Sequence, residues 1–345
     1  MIKIGILGAE TIAAGELIRI LINHPDVELR TVASSSEAGR TVAEVHRGLT
    51  GDTDLRIAAS LTPDGHDAVF LCGENWMASE WMKLHHDNPA MSELRIIDLT
   101  GAFRDGSHQM VYGFPEYNRK ALVRGARRAS IPSPAAIAVE TALFPLAKNL
   151  LLNGRINATV SIAATEDAAG NTSAGLSQHT SPRYADISAS TRLDPIAPQE
   201  HRPDGDAIAR EIETAIRAIQ PSFAGNISLR LSRDGSITRG ITAVIETPCG
   251  VAPNELERLY NDAYSDHNFT YPVNTRPTVA DVANTNKCLL HMEYATAPDS
   301  GLPLLRITSV IDNLLKGAAG TAVHCLNLLF GLSERTGLAL KASAF

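Results

Sequence analysis

An α/β chain, with a doubly wound parallel sheet first and an α+β domain on a mixed sheet after it, is what three observations predict. Short apolar runs alternate with helically spaced stretches through the first part of the sequence. From about Ala147 the apolar segments become longer, β-branched and alternating. The length of 345 residues also exceeds the ~250 residues beyond which single cores give way to two domains.

The first run, Ile2 to Leu7, stops at Gly8, and "ELIRILINH" then repeats apolar residues at helical spacing through Leu17, Ile18, Ile20, Leu21 and Ile22. That is a strand, a turn and a helix. "VELRTVA" at 27–33, "LRIAA" at 55–59, "DAVFLC" at 67–72 and "RIIDL" at 95–99 read as further buried strands. Strands separated by helical stretches give a Rossmann-type parallel sheet with right-handed crossovers and ligands at its carboxyl edge. "INATVSIAAT" at 156–165, "NISLRLS" at 226–232, "ITRGITAVIET" at 237–247 and "LPLLRITSVI" at 302–311 then predict a mixed or antiparallel sheet. An amphipathic helix follows Pro253. The last segment, Ile311 to Leu332, carries the small run Gly317 to Gly320, which permits close helix packing. The expected divisions are 1–146, 147–311 and a C-terminal helix at 312–345 that returns to the first domain.

Hydrophobic residues at 44% and charged residues at 20% describe a chain able to bury a sizeable core. The formal charge of -7 supplies no field for polyanions, so nucleic acid is not an expected partner. Cys72, Cys249, Cys288 and Cys325 lie far apart with no C-x-x-C pair, which predicts neither zinc site nor disulfide framework and fits a reducing cytoplasm. "MIKIGILG" begins a strand without a basic n-region or long apolar span, arguing against secretion or membrane insertion. His85 and His86 are adjacent and would not share a helix face, so no metal site is expected there.

The first turn, "GAETIAAGEL" from Gly8 to Leu17, is placed as a dinucleotide-binding turn would be. Such a turn needs glycine where the chain bends and where backbone meets pyrophosphate. Gly8 is present, Thr11 and Ala14 occupy the next two positions of a G-x-x-G-x-x-G spacing, and Gly15 is one place late. Two readings fit: a tight turn without ligand, or an altered dinucleotide site. The second strand ends in "ASSSEAGR" without an acidic residue placed to hold a ribose hydroxyl, so for any dinucleotide NADP is favoured over NAD, with Ser34, Ser36 and Arg40 as local candidates.

Across nearly its whole length the chain resembles N-acetyl-γ-glutamyl-phosphate reductases, relatives of aspartate-semialdehyde dehydrogenase. The resemblance is carried by "GAETIAAGELIRILINHPDVEL" with "AGRTVAEV", by "IDLTGAFR" and "YGFPEYNR", by "VANTNKC", and by "VIDNLLKGAAGTAVHCLNLLFGLSERTGL". It implies a Rossmann-type first domain, a second domain with oligomer contacts (a dimer or tetramer), NADP as cofactor, and an acyl phosphate of an acylamino acid as substrate. It also implies a reaction in which a cysteine thiolate forms a thioester that NADPH reduces. The family places that cysteine in N-P-G-C-Y, eleven residues before a P-L pair. Pro145-Leu146 sets the register here, matching Pro132 to the motif's proline, Ser133 to the glycine and Pro134 to the cysteine. Proline has no nucleophilic atom and no backbone donor.

The same resemblance matches His201 to the acid/base histidine, Arg104 and Glu116 to positions near substrate, and Asn313 to one near the cofactor. Each has a plainer reading: an exposed histidine, a domain-edge ion pair, a helix-start cap. The family's P-H-G-V-S is replaced by "ENWMAS", Glu74 to Ser79, with bulky Trp76, and its S-G-V-S-G-A-G-R loop by "ATEDAAGN", with Glu166 and Asp167. Cys72, at the end of a sheet strand, is either a displaced nucleophile or a core cysteine. Ser133 lacks a visible base, and Cys288 reads as structural. Three functions follow: an altered NADPH-dependent reductase, a noncatalytic ligand-binding or interaction paralogue, and a non-redox enzyme on a related acylamino acid.

Overall fold

The computed structural model describes residues 1–163, 165, 203–296 and 303–342. The first sheet is fed by β1 (Ile2–Leu7), α1 (Ile12–Leu21), β2 (Val27–Ala33), α2 (Val42–Val45), β3 (Ala68–Leu71), α3 (Asn75–Leu84), β4 (Arg95–Asp98), β5 (Val111–Tyr112), α4 (Pro115–Val123) and β6 (Arg128–Ser130). Its order is β2-β1-β3-β4-β6-β5, and every pairing in it is parallel. Ile4, Ile6, Val69, Phe70, Ile96 and Ile97 are wholly buried, as a sheet covered on both faces requires. "LRIAA" is the exception among the expected strands. It makes only isolated bridges, Ala58 to Ala33 and Arg56 to Thr41, because charged, exposed neighbours leave it at the rim rather than in the core.

Between the sheets runs α5 (Pro134–Lys148), buried from Pro134 to Ala147. Then follow β7 (Ile156–Ala163), α6 (Pro203–Ile219), β8 (Ile227–Asp234), β9 (Ile241–Pro248), α7 (Pro253–Tyr264), β10 (Thr270–Pro272), β11 (Cys288–Thr296), β12 (Pro303–Ile311) and, after a π-turn at Leu315–Ala319, α8 (Gly320–Leu329). The second sheet has the order β10-β11-β12-β9-β7-β8. It is mixed: β10 with β11 and β7 with β8 are parallel, the rest antiparallel. Helix α5 packs on β9 and β12 of this sheet, and α8 packs on α4 and β4 of the first.

A chain of charges joins the two halves. Arg239 donates to Asp312 at 2.6 Å and to Glu16 on α1 at 2.9 Å. Glu16 also holds Arg19 at 2.8 Å. Burial alone would raise the Glu16 carboxyl, but the two guanidiniums reverse that and lower it. Asp312 in addition caps the π-turn, accepting from Leu314 N–H and Leu315 N–H at 2.9 Å each.

Candidate functional site

Pro134 is the first residue of α5 and Ser133 its N-cap. Proline is at home there, since the first N–H of a helix has no partner within it and the ring presets the backbone angle. The ring packs against the π-turn so closely that a Cβ on Gly317 would lie 2.8 Å from Pro134 Cβ. Ser133 is buried and its Oγ accepts from Ala136 N–H at 3.4 Å.

The Ser133 N–H and Oγ–H both donate to Glu211 of α6, at 2.9 Å each. Arg104 stands 3.5 Å from the same carboxylate while its Nε donates to Ile131 O at 2.9 Å. The Tyr112 hydroxyl lies 3.1 Å from Glu211 Oε1 and 2.7 Å from Glu140 Oε1. One phenolic proton cannot serve both carboxyls. Burial, reinforced by the Glu211 charge, pushes the Glu140 carboxyl well above its ordinary range. The Tyr112 hydroxyl is the donor that faces both, closer to Glu140 than to Glu211. Burial and the two carboxyls also push the Tyr112 phenol well up.

Other expected residues lie apart from this network. Glu116 accepts from Lys316 at 2.5 Å and from Thr270 at 2.9 Å, with both members of the ion pair buried. Burial would raise its carboxyl, but the Lys316 ammonium overrides that and holds it at about 2. Asn313 accepts from Gly240 N–H at 2.7 Å and donates to Thr165 at 3.1 Å. It bridges segments, and the capping role belongs to Asp312. His201, Glu166 and Asp167 fall outside the described residues.

The first turn is bent at Gly8 and capped by Thr11. Gly8 has φ +83, and a Cβ there would come within 2.4 Å of Gly73 N, so the bend does require glycine. Thr11 caps α1, accepting from Ala14 N–H at 3.2 Å and donating to Gly8 O at 3.0 Å. The late glycine has a different purpose: a Cβ on Gly15 would sit 2.6 Å from the His46 ring, whose Nε2 lies 2.6 Å from Ala9 O. Glu10 Oε2 is buried without a hydrogen-bond partner among the described residues. At the end of β2, Arg40 pairs with Glu37 at 2.5 Å and donates to Glu44 O at 2.9 Å, and Ser34 and Ser36 bond each other at 3.1 Å.

Trp76, after β3, is 63% exposed. Cys72 is buried, and burial with the Asp98 and Glu10 carboxylates pushes its thiol well up. That is a core cysteine, not a thiolate nucleophile. Burial likewise pushes Cys288 up to about 12. No group of three or more metal-binding side chains occurs among the described residues, and no described helix is long and apolar enough to cross a membrane.

Residues 3–124 match the family described as semialdehyde dehydrogenase, NAD binding domain, and residues 135–313 the semialdehyde dehydrogenase dimerisation domain. N-acetyl-gamma-glutamyl-phosphate reductases from Parabacteroides distasonis and Bacteroides thetaiotaomicron are 38% and 39% identical over 100% of both chains. The chain belongs to this reductase family of semialdehyde dehydrogenases. The fold is shared more widely: aspartate semialdehyde dehydrogenase II from Vibrio cholerae superposes with a TM-score of 0.66 at 16% identity, covering 95% of this chain and 98% of that one. The Candida albicans enzyme, solved with NADP, gives 0.65 at 15% identity, covering 96% and 98%.

Membership gives the first domain a nicotinamide-binding plan, and the turn can be tested against it. A pyrophosphate at the start of α1 needs free N–H groups and close backbone. Here the Thr11 side chain takes the Ala14 N–H, and a carboxylate oxygen of Glu10 is buried in the same turn without a donor among the described residues. Glu211, Tyr112 and Lys316 were not legible as site residues from the sequence. Glu140 carried a signal, being a lone acid inside the apolar run "AIAVETALF".

Proposed function

We propose that this reductase-family member has lost the family's thioester chemistry and works as a noncatalytic binder of a small acylamino acid, assembled as a homo-oligomer. The observation that carries the reading is Pro134 at the head of α5, seated and buried where the register of the resemblance places the nucleophile. All four cysteines are buried. Cys72, Cys288 and Cys325 are buried with their thiols pushed up by burial, and a protonated thiol attacks an acyl phosphate poorly. Ser133 is held by Glu211 through both its N–H and its hydroxyl, which fixes it as a cap.

What the scaffold retains supports binding. A cavity of about 750 Å³ opens beside the start of α5, lined by Arg104, Tyr112, Tyr117, Asn118, Arg210 and Glu211 among others. Its size suits a small ligand, and two arginines and an asparagine supply polar anchors for an acylamino acid. The dimerisation-type second domain supports an oligomer. The reading is tested by supplying N-acetylglutamate semialdehyde, NADP and phosphate. No phosphate-dependent NADPH formation above background is expected, and formation that depends on both substrate and phosphate would overturn it.

A further inference from the structure

We propose that the N-terminal end of α5 is a carboxylate-binding site that the chain fills with its own Glu211, an internal plug standing where a small acyl ligand's carboxylate would otherwise bind. Four donors converge on this one side chain: Ser133 N–H and Oγ–H, the Tyr112 hydroxyl and the Arg104 guanidinium. A helix N-terminus adds its favourable dipole for an anion. The donors come from the first sheet, the loop after β4 and α5, whereas the carboxylate comes from α6. Site and occupant thus belong to separate elements.

Glu140 is a positioning residue for this site. It is fully interior, 2% exposed, and its Oε2 has no hydrogen-bond partner among the described residues. A buried polar atom left unpaired is costly, and here the cost accompanies an arrangement that holds the Tyr112 hydroxyl within reach of both Glu140 and Glu211. The cavity adjoins the same carboxylate and guanidinium, with Val111, Ala207 and Ala215 on its walls. A ligand that displaced Glu211 would place its carboxylate on the four donors and a short apolar body in the cavity. The matching class is a small acyl monocarboxylate. This extends the proposed function and is tested apart from it, since the test contains neither nucleotide nor acyl phosphate.

The test is chemical rescue. Glu211→Ala removes the two carbons and two oxygens that acetate possesses. Thermal unfolding of this variant should show a lowered Tm that rises saturably with sodium acetate, and isothermal titration should show acetate binding at one site. Wild-type protein should show neither beyond the response to equal sodium chloride, because its site is occupied. Glu211→Gln, which keeps the volume, should not respond to acetate, and adding Arg104→Ala to Glu211→Ala should weaken rescue at least tenfold in acetate midpoint. Should Glu211→Ala be unfolded at room temperature, acetate but not chloride should restore folded protein by circular dichroism. Failure of acetate to exceed chloride in Glu211→Ala, or an equal acetate response in wild type, overturns the proposal.

Discussion

Thr11 shows how one side chain changes what a backbone can do. With its hydroxyl on Ala14 N–H, one donor at the start of α1 is taken from within, and an incoming phosphate would meet that bond beside a Glu10 oxygen unpaired among the described residues. A shortfall of about 4 kcal/mol turns micromolar affinity into millimolar. Titration of NADPH, followed by nicotinamide fluorescence, is expected to give at best millimolar binding. Glu10→Ser with Thr11→Gly should tighten it at least tenfold. Micromolar binding by wild type would show that the turn accommodates pyrophosphate by other donors. The departure of this turn from the glycine spacing was legible in the sequence, but the reason for Gly15 was not, because His46 reaches it from a distant segment and pairings of that kind leave no local spacing signal.

At the scale of elements, Pro145 sits inside α5 and cannot donate the helical bond to Thr141 O. Tyr264 of α7 supplies a donor to that carbonyl, and Tyr260 donates to Ala142 O at 2.6 Å. The apparent defect is thereby a docking point for α7. Tyr264→Phe should leave a buried carbonyl unpaired and cost about 1–3 kcal/mol, read as a fall in the denaturant midpoint with unchanged slope. An unchanged midpoint would mean that water or a shifted helix satisfies Thr141. The strand Val27–Ala33 was legible to the residue because apolar and β-branched residues recur through it and Asn23–His24–Pro25 punctuates its start. "LRIAA" misled, since five apolar-rich residues do not reveal whether a neighbouring strand offers a full edge.

Across the whole molecule, buried ionisable groups set the response to acid. Glu116, held at about 2 by Lys316 against the effect of burial, has a depressed folded value. Its contribution is present above the unfolded value near 4.5 and is lost as pH falls through about 2. His46 and His324 are lowered by burial. They are neutral in the fold, so their contribution is present above the ordinary 6.5 and declines as pH falls toward their lowered values. Unfolding free energy should therefore decrease in two stages on acidification, and Glu116→Gln, which leaves Lys316 buried and unpaired, should cost about 3–5 kcal/mol at neutral pH and flatten the lower stage. An unaltered lower stage in that variant would place the acid response elsewhere.

The two-domain plan was legible because the change from helix-separated to alternating strands spans many residues. The network at the start of α5 was not, since Tyr112, Ser133, Glu140 and Glu211 are brought together only by the packing of α6 against α5. The most direct measurement is intact-protein mass spectrometry after incubation with an activated N-acetylglutamyl donor, which reads acyl-enzyme formation without any nucleotide. Wild type should show no adduct, while Ser133→Gly with Pro134→Cys should gain one, slowly because Glu211 opposes a thiolate nearby, and faster when Glu211→Gln is added. An adduct on wild-type protein that disappears with Cys72→Ala would show that a displaced thiol has taken over, and would contradict the loss of thioester chemistry.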